Sequence, residues 1–219
     1  MKIGFIGGTG EEGRGLALRL ALAGHHAIIG SRDEERGQQV AHDLAETCED
    51  PGAAKRITGG SNEDTAREGE VVFLAVPYSA MASTLRSVSS HLRGKVCVNV
   101  IAPLEFVSGR ARGIIPPAGS AAEEAEREVP DARWVAGFHT VPARGLLRQS
   151  SHMDTDALIC SDDQAASKLV MDLAGEISGL RGVNAGPLEC ARYLEGATAL
   201  LININRIYKA HGSVKIAGI

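Results

Sequence analysis

The feature that most constrains this chain is the run Gly7-Gly8-Thr9-Gly10-Glu11-Glu12-Gly13. An apolar stretch, Ile3-Gly4-Phe5-Ile6, leads directly into it, and a helix-compatible segment, Arg14 to Ala23, leaves it. A second apolar stretch, Ala27-Ile28-Ile29-Gly30, follows and ends in Ser31-Arg32. Strand, G-x-G-x-x-G turn, helix and strand stand in the order that a dinucleotide site requires. In that reading Gly8 permits the tight turn, Gly10 lets backbone approach a pyrophosphate, and Gly13 lets the helix pack close on the strand. Free N–H groups at the helix start then face the phosphates. Gly8, Thr9, Gly10, Glu11, Glu12 and Gly13 are therefore the candidate cofactor loop.

The end of the second strand selects the dinucleotide. An Asp or Glu there would accept hydrogen bonds from ribose hydroxyls and repel a 2′-phosphate. This chain has Ser31 and Arg32, with Arg36 one helical turn later. Guanidinium groups bind phosphate through charge-assisted, often bidentate hydrogen bonds, which points to NADP(H). Ser31-x-x-Glu34 also fits a capping box that would start a helix from Asp33 to Thr47.

Strand and helix patterns keep alternating after residue 36. Short strands are expected at 56–58, 71–76, 95–100, 134–138 and 157–160, with helices at 62–67, 79–90, 120–128 and 164–178. A long helix from Leu188 to about Ala210 closes the series. Val71 to Val76 is continuously apolar, as a strand buried on both faces of a parallel sheet should be. Repeating β-α units predict an α/β, Rossmann-type doubly wound, mostly parallel sheet, with a small C-terminal α/β lobe that ends in the long helix. The boundary falls where Pro142, Gly145 and the polar run Arg148 to Asp156 interrupt the pattern. That gives a dinucleotide-binding domain over 1–145 and a pocket-closing lobe over 146–219. Leu194, Ala197, Leu200, Leu201, Ile204 and Ile207 form an apolar stripe on the last helix, to be buried on the lobe or against a second subunit.

At 219 residues and a formal net charge of −4, nothing suggests nucleic acid or an anionic membrane surface as partner. No apolar run reaches the length of a transmembrane span, and the chain opens on a strand and not on a signal peptide. Cys48, Cys97, Cys160 and Cys190 are far apart and form no C-x-x-C pair. They read as reduced thiols of a cytoplasmic protein, and no metal-ligand spacing occurs among the histidines.

Motifs for acid–base chemistry are scarce. None of Tyr78, Tyr193 and Tyr208 is followed by lysine at the Tyr-x-x-x-Lys spacing. The best candidate for a catalytic, orienting group is His139, immediately past a strand, where substrate sites of open α/β sheets form. Hydride transfer between two redox rings needs no strong acid or base, only two planar rings held face to face in a dry cleft.

The chain resembles the NADPH-dependent reductases of the deazaflavin coenzyme F420. The residues that carry the likeness are Gly7-Gly8-Thr9-Gly10 with Gly13-Arg14-Gly15-Leu16-Ala17-Leu18-Arg19-Leu20, and Gly30-Ser31-Arg32 with Glu34-Glu35-Arg36. Further matches are Ile57-Thr58-Gly59, Asn62-Glu63-Asp64, His139-Thr140-Val141-Pro142-Ala143, Asp162-Asp163 and Ala185-Gly186-Pro187-Leu188. The resemblance implies that Thr9, Ser31, Arg32 and Arg36 hold the NADP phosphates and that Val76 and Pro77 lie along the cofactor. It implies that His139 and Pro142 border the deazaflavin, with Ala102, Pro103, His211 and Gly212 lining the same pocket, in a cytoplasmic homodimer acting on small molecules. Two segments differ from the family pattern: Leu104-Glu105-Phe106-Val107 separates Pro103 from Ser108, and Ala210-His211-Gly212 replaces a Gly-Met-Gly tail. Reduction of another planar heterocycle or an imine, such as a pterin, is the alternative, and a nucleotide sensor without chemistry is a further one.

Overall fold

The computed structural model describes residues 1–219. The chain runs β1 (Lys2–Ile6), α1 (Glu11–Leu22), β2 (His26–Ser31), α2 (Glu34–Glu46), α3 (Pro51–Ala54), β3 (Ile57–Ser61), α4 (Asn62–Glu68), β4 (Val71–Leu74), α5 (Tyr78–Leu92) and β5 (Val96–Asn99). There follow β6 (Leu104–Val107), β7 (Arg110–Gly113), α6 (Ala121–Glu128), β8 (Arg133–Gly137), α7 (Ala143–Leu146), β9 (Thr155–Cys160), α8 (Gln164–Gly175) and β10 (Leu180–Asn184). A 3-10 turn, Leu188–Cys190, leads into α9 (Ala191–Tyr208).

Eight strands make one sheet in the order β10-β9-β8-β5-β4-β1-β2-β3. All neighbours are parallel except β8 and β9. From β1 the chain winds outward to β2 and β3, then crosses back to β4 on the other side of β1. The strand order therefore reverses between β1 and β4, and ligands of open α/β sheets bind at the carboxyl ends of strands at such a point.

Strand side chains alternate between two apolar layers, because successive residues point to opposite faces. In β4, Val71 and Phe73 enter the layer shared with α1, α2 and α8, while Val72 and Leu74 enter the layer shared with α5, α6 and the start of α9. Burial on both faces explains why this strand carries no polar residue. Phe5 and Phe73 stack with ring centroids 5.0 Å apart, and Phe73 meets Phe138 at 5.6 Å. This aromatic row ends beside His139, so the core and the candidate site share a wall.

Several boundaries differ from the sequence reading, each for a local reason. Helix α1 begins at Glu11 and not at Arg14, so the last residues of the glycine-rich run already form its first turn. Gly7, not Gly8, takes the left-handed conformation, with φ of 68°. Ser31 does not cap α2. It is the last residue of β2, and Asp33 is the cap, its side chain accepting from the Arg36 N–H. The Ser31 hydroxyl instead accepts from the Asp33 N–H at 3.3 Å. The long C-terminal helix is broken at its start by the 3-10 turn.

Residues 146–219 extend the main sheet at its open β8 edge with β9 and β10. Between β8 and β9 the only helix is the four-residue α7, which packs on α1. Without a crossover helix the chain returns antiparallel. The β6–β7 hairpin and β10 were not expected from the sequence.

Candidate functional site

The glycine loop is fixed by contacts that leave no room for side chains. The Gly8 N–H donates to Phe5 O at 2.9 Å and to Gly30 O at 3.0 Å, and the Gly7 N–H donates to the buried Asn62 Oδ1 at 2.9 Å. A Cβ on Gly13 would lie 2.6 Å from Gly8 Cα, which fixes the approach of α1 to the loop. A Cβ on Gly7 would meet Val76 Cγ1 at 2.3 Å, so the loops after β1 and β4 touch at the switch point. At Gly10 a Cβ would meet nothing within 4 Å, which leaves open space for a ligand against bare backbone. Helix α1 starts there, with unpaired N–H groups directed at that space.

At the far end of this edge, Ser31 is buried while Arg32 and Arg36 are exposed. Arg32 follows directly on β2, and Arg36 lies in the first turn of α2. Val76 is buried beneath the loop, and Pro77 is exposed at the start of α5.

A cleft of about 680 Å³ opens beside the first turn of α1. It lies within the size range of small-molecule sites, roughly 300–1,000 Å³. Glu11 and Glu12 form one wall, Phe138 to Arg144 a second, and α9 with the following Ala210–Gly212 a third. Of the residues expected there, His139, Pro142, His211 and Gly212 line it. Ala102 and Pro103 do not; Val100 and Phe106 occupy that side, because the chain after Pro103 turns into the β6–β7 hairpin. Thr140, Thr198 and Asn205 also line the cleft and were not singled out from the sequence. Thr198 and Asn205 sit on a helix face that apolar periodicity marks only as partly buried.

The geometry of His139 is set from two sides. Phe138, fully buried, holds φ of 67°, a conformation that costs a non-glycine residue about 1–3 kcal/mol. The His139 Nε2–H donates to Ile101 O at 3.2 Å, and Thr198 Oγ1 donates to His139 O at 3.0 Å. Since a carbonyl only accepts, Nε2 carries the proton and Nδ1 presents a lone pair. Burial pushes the imidazole pKa down to about 4, against a smaller opposing effect of the Ile101 bond. The ring is thus neutral at physiological pH, an orienting hydrogen-bond group and not a cation.

Three buried polar atoms on this cleft have no partner: His139 Nδ1, Thr140 Oγ1 and Glu12 Oε1. Leaving a buried polar atom unpaired costs about 1–3 kcal/mol, so three around one cleft fit a polar ligand. Burial also pushes the Glu12 carboxyl up to about 8.

The third wall is held by a stapled tail. Lys209, in the left-handed conformation, ends α9. Asn205 then grips Gly212, accepting from its N–H at 2.5 Å and donating to its carbonyl at 3.4 Å. Further on, the Asp156 N–H and Thr155 hydroxyl both donate to Val214 O, and the Ile216 N–H donates to Asp156 Oδ2 at 2.6 Å. Asp156 is buried and paired bidentately with Arg181, which holds its carboxyl below the usual range. The second wall is tied to α1 by the buried Arg19, which donates to the carbonyls of Gly145, Leu146, Arg148 and Gln149. No group of three or more His, Cys, Asp or Glu side chains is gathered to hold a metal.

A glycine loop at a switch point, a basic end to the second strand and an adjoining polar-lined cleft define a Rossmann-class dinucleotide-dependent oxidoreductase. The family model for coenzyme F420-dependent NADP oxidoreductases matches residues 2–103. The F420-dependent NADP reductase of Methanocaldococcus jannaschii is 39% identical over 215 residues, covering 97% of this chain and 96% of that protein. That of Methanothermobacter marburgensis is 42% identical over 209 residues, covering 94% and 92%. A crystal structure from Arthrobacter sp. FB24, described as an F420-dependent NADP-reductase, superposes over 100% of both chains with a TM-score of 0.81 at 24% identity, which shows the shared fold. The chain belongs to the F420-dependent NADP reductase family.

Proposed function

We propose that this protein transfers hydride between NADP(H) and the deazaflavin coenzyme F420. The observation that carries the reading is the cleft that opens from the first turn of α1, so that a dinucleotide laid along the loop delivers its nicotinamide end to a wall of unpaired polar atoms. In this reading Gly8, Thr9, Gly10, Glu11, Glu12 and Gly13 cradle the pyrophosphate. Ser31, Arg32 and Arg36 hold the 2′-phosphate, and Val76 and Pro77 flank the nucleotide. His139, Pro142, His211 and Gly212 border the acceptor ring, with Val100 and Phe106 in the positions first given to Ala102 and Pro103.

The chemistry asks little of these side chains. One hydride, carrying two electrons, leaves the reduced nicotinamide for the oxidised deazaflavin, and solvent supplies the accompanying proton. The chain's contribution is to hold two flat rings in register and exclude water. Neutral His139 suits that role, since its Nδ1 accepts a hydrogen bond from a ring N–H without adding charge. Residues 1–145 act as the NADP-binding unit and 146–219 close the pocket over the second ring.

Tyr193, Leu200, Ile207 and Tyr208 leave one face of α9 exposed, at 61–74% of their full accessibility. A second copy of the chain covers this face in a cytoplasmic homodimer that acts on small molecules and not on nucleic acid. No helix is long and apolar enough to cross a membrane.

The test mixes protein, NADPH and oxidised F420 and follows loss of the deazaflavin's visible absorbance, with flavin and dihydropterin controls. Rapid bleaching of F420 alone is the expected result. NADPH oxidation only with a pterin or an imine, leaving F420 untouched, overturns the substrate.

A further inference from the structure

Glu12 is an odd residue to find where it stands. It occupies the first turn of α1, at the N–H groups assigned above to the pyrophosphate, and its half-buried side chain lines the cleft. Its Oε1 is sealed from water and has no hydrogen-bond partner. Two neighbours on the same cleft, His139 and Thr140, are more than nine-tenths buried and also present an unpaired atom. A carboxylate in that position would face the negative charge of the nucleotide with no hydrogen-bond partner for its Oε1.

We propose that Glu12 is a ligand of the dinucleotide in its neutral form, donating its carboxyl proton to an acceptor oxygen of the bound nucleotide, so that NADP(H) binding is coupled to protonation of this one side chain. The inference rests on the NADP reading above. It makes the loop a proton-linked site: the acid donates a hydrogen bond, whereas the carboxylate repels the cofactor. The charged and titratable groups around Glu12 are Glu11 and Arg14 on α1, Arg144 on α7, His139 after β8 and His211 in the tail. Arg144 lies 3.6 Å from the Glu11 carboxylate, so that cation is already shared. His139 is neutral throughout the range that matters. Burial pushes the Glu12 carboxyl up to about 8, which places the transition in an accessible window.

The experiment is calorimetric titration of NADPH into the full-length protein between pH 7 and 9.5, above the second ionisation of a phosphate monoester at about pH 6. If only the protonated form binds, the apparent dissociation constant rises with the fraction of ionised Glu12, by about thirtyfold at pH 9.5. Glu12→Gln, which keeps a donor but cannot ionise, should bind with an affinity that is flat across the range. Near pH 8 the wild type should also take up about half a proton per site on binding, read from the difference in heat between two buffers of unlike ionisation enthalpy. That measurement stands without the variant. A wild-type affinity that does not change with pH and no proton uptake overturn the proposal, as does a Glu12→Gln protein that keeps the wild-type pH dependence. A wild type that fails to bind NADPH at every pH overturns the NADP reading itself, an outcome distinct from pH-independent binding.

Discussion

At the scale of single residues, the proposed function assigns most of the cofactor specificity to the glycine loop and the basic strand end. Arg32→Ala should weaken NADPH binding by roughly 1.5–3 kcal/mol, the range for a hydrogen bond to a charged group, and leave NADH affinity unchanged. Titration with both nucleotides checks this, and equal losses for the two would contradict it. Stability should also report two titratable groups of the cleft, in opposite directions. The Glu12 carboxyl is held up to about 8 from an ordinary value of 4.5, so the folded state keeps a proton that the unfolded chain loses. Stability from this group is complete below pH 4.5 and declines as pH rises toward 8. His139 is pushed down to about 4 from 6.5, so the unfolded chain binds the extra proton and stability falls as pH drops from 6.5 to 4. Denaturant melts should show Glu12→Gln removing a fall in stability between pH 4.5 and 8, and His139→Gln removing a rise between pH 4 and 6.5. Unchanged slopes would mean that these groups titrate as they do in the unfolded chain.

At the scale of elements, the sequence was legible where a period or a punctuating residue is strong. The continuous apolar run ending at Pro77 marks β4, and Ser120 marks the start of α6, whose N-terminus it caps through the Glu123 N–H. The β6–β7 hairpin escaped notice because its turn, Ser108 with φ of 49° and Gly109 with φ of 74°, lacks the Asn-Gly or Asp-Gly signal and its strands are mostly exposed. Strand β10 escaped because Arg181 and Gly182 interrupt its apolar pattern at the sheet edge. The antiparallel sense of β9 is a property of the connection and not of the residues in the strand. Of the candidate site, the motif residues and His139 were readable from local context. Thr198 and Asn205 were not, since their importance arises only when α9 folds back over the cleft. The tail staple gives this element a direct test. Asp156→Ala removes the acceptor for Ile216 and the partner of Arg181, so the KM for the acceptor should rise severalfold while the NADPH dissociation constant stays put. A matched rise in both would place the tail at the nucleotide and not at the second ring. For the exposed face of α9, Leu200→Asp combined with Ile207→Asp should convert a dimer into a monomer in light scattering. A wild type that is already monomeric would remove that assignment.

At the scale of the whole molecule, one sheet runs from β10 to β3 and the two apolar layers extend across it. The strands contributed by residues 146–219 share hydrogen bonds and core with those of residues 1–145, so denaturant unfolding should be a single transition by tryptophan fluorescence and circular dichroism. Trp134, buried on β8, reports on the seam between the two parts. Two separated transitions would show that the pocket-closing part folds on its own. In the proposed reading, the loop that would hold the nucleotide and the walls that would hold the acceptor are built on this one sheet. On the proposed function, hydride passes directly from nicotinamide to deazaflavin across this cleft. NADPH deuterated at the transferring position of its nicotinamide ring, mixed with the protein and oxidised F420 for a single turnover, tests it most directly. The deuterium should be recovered on the reduced deazaflavin. Recovery of the label in water, or oxidation of NADPH with none of it on F420, would contradict it.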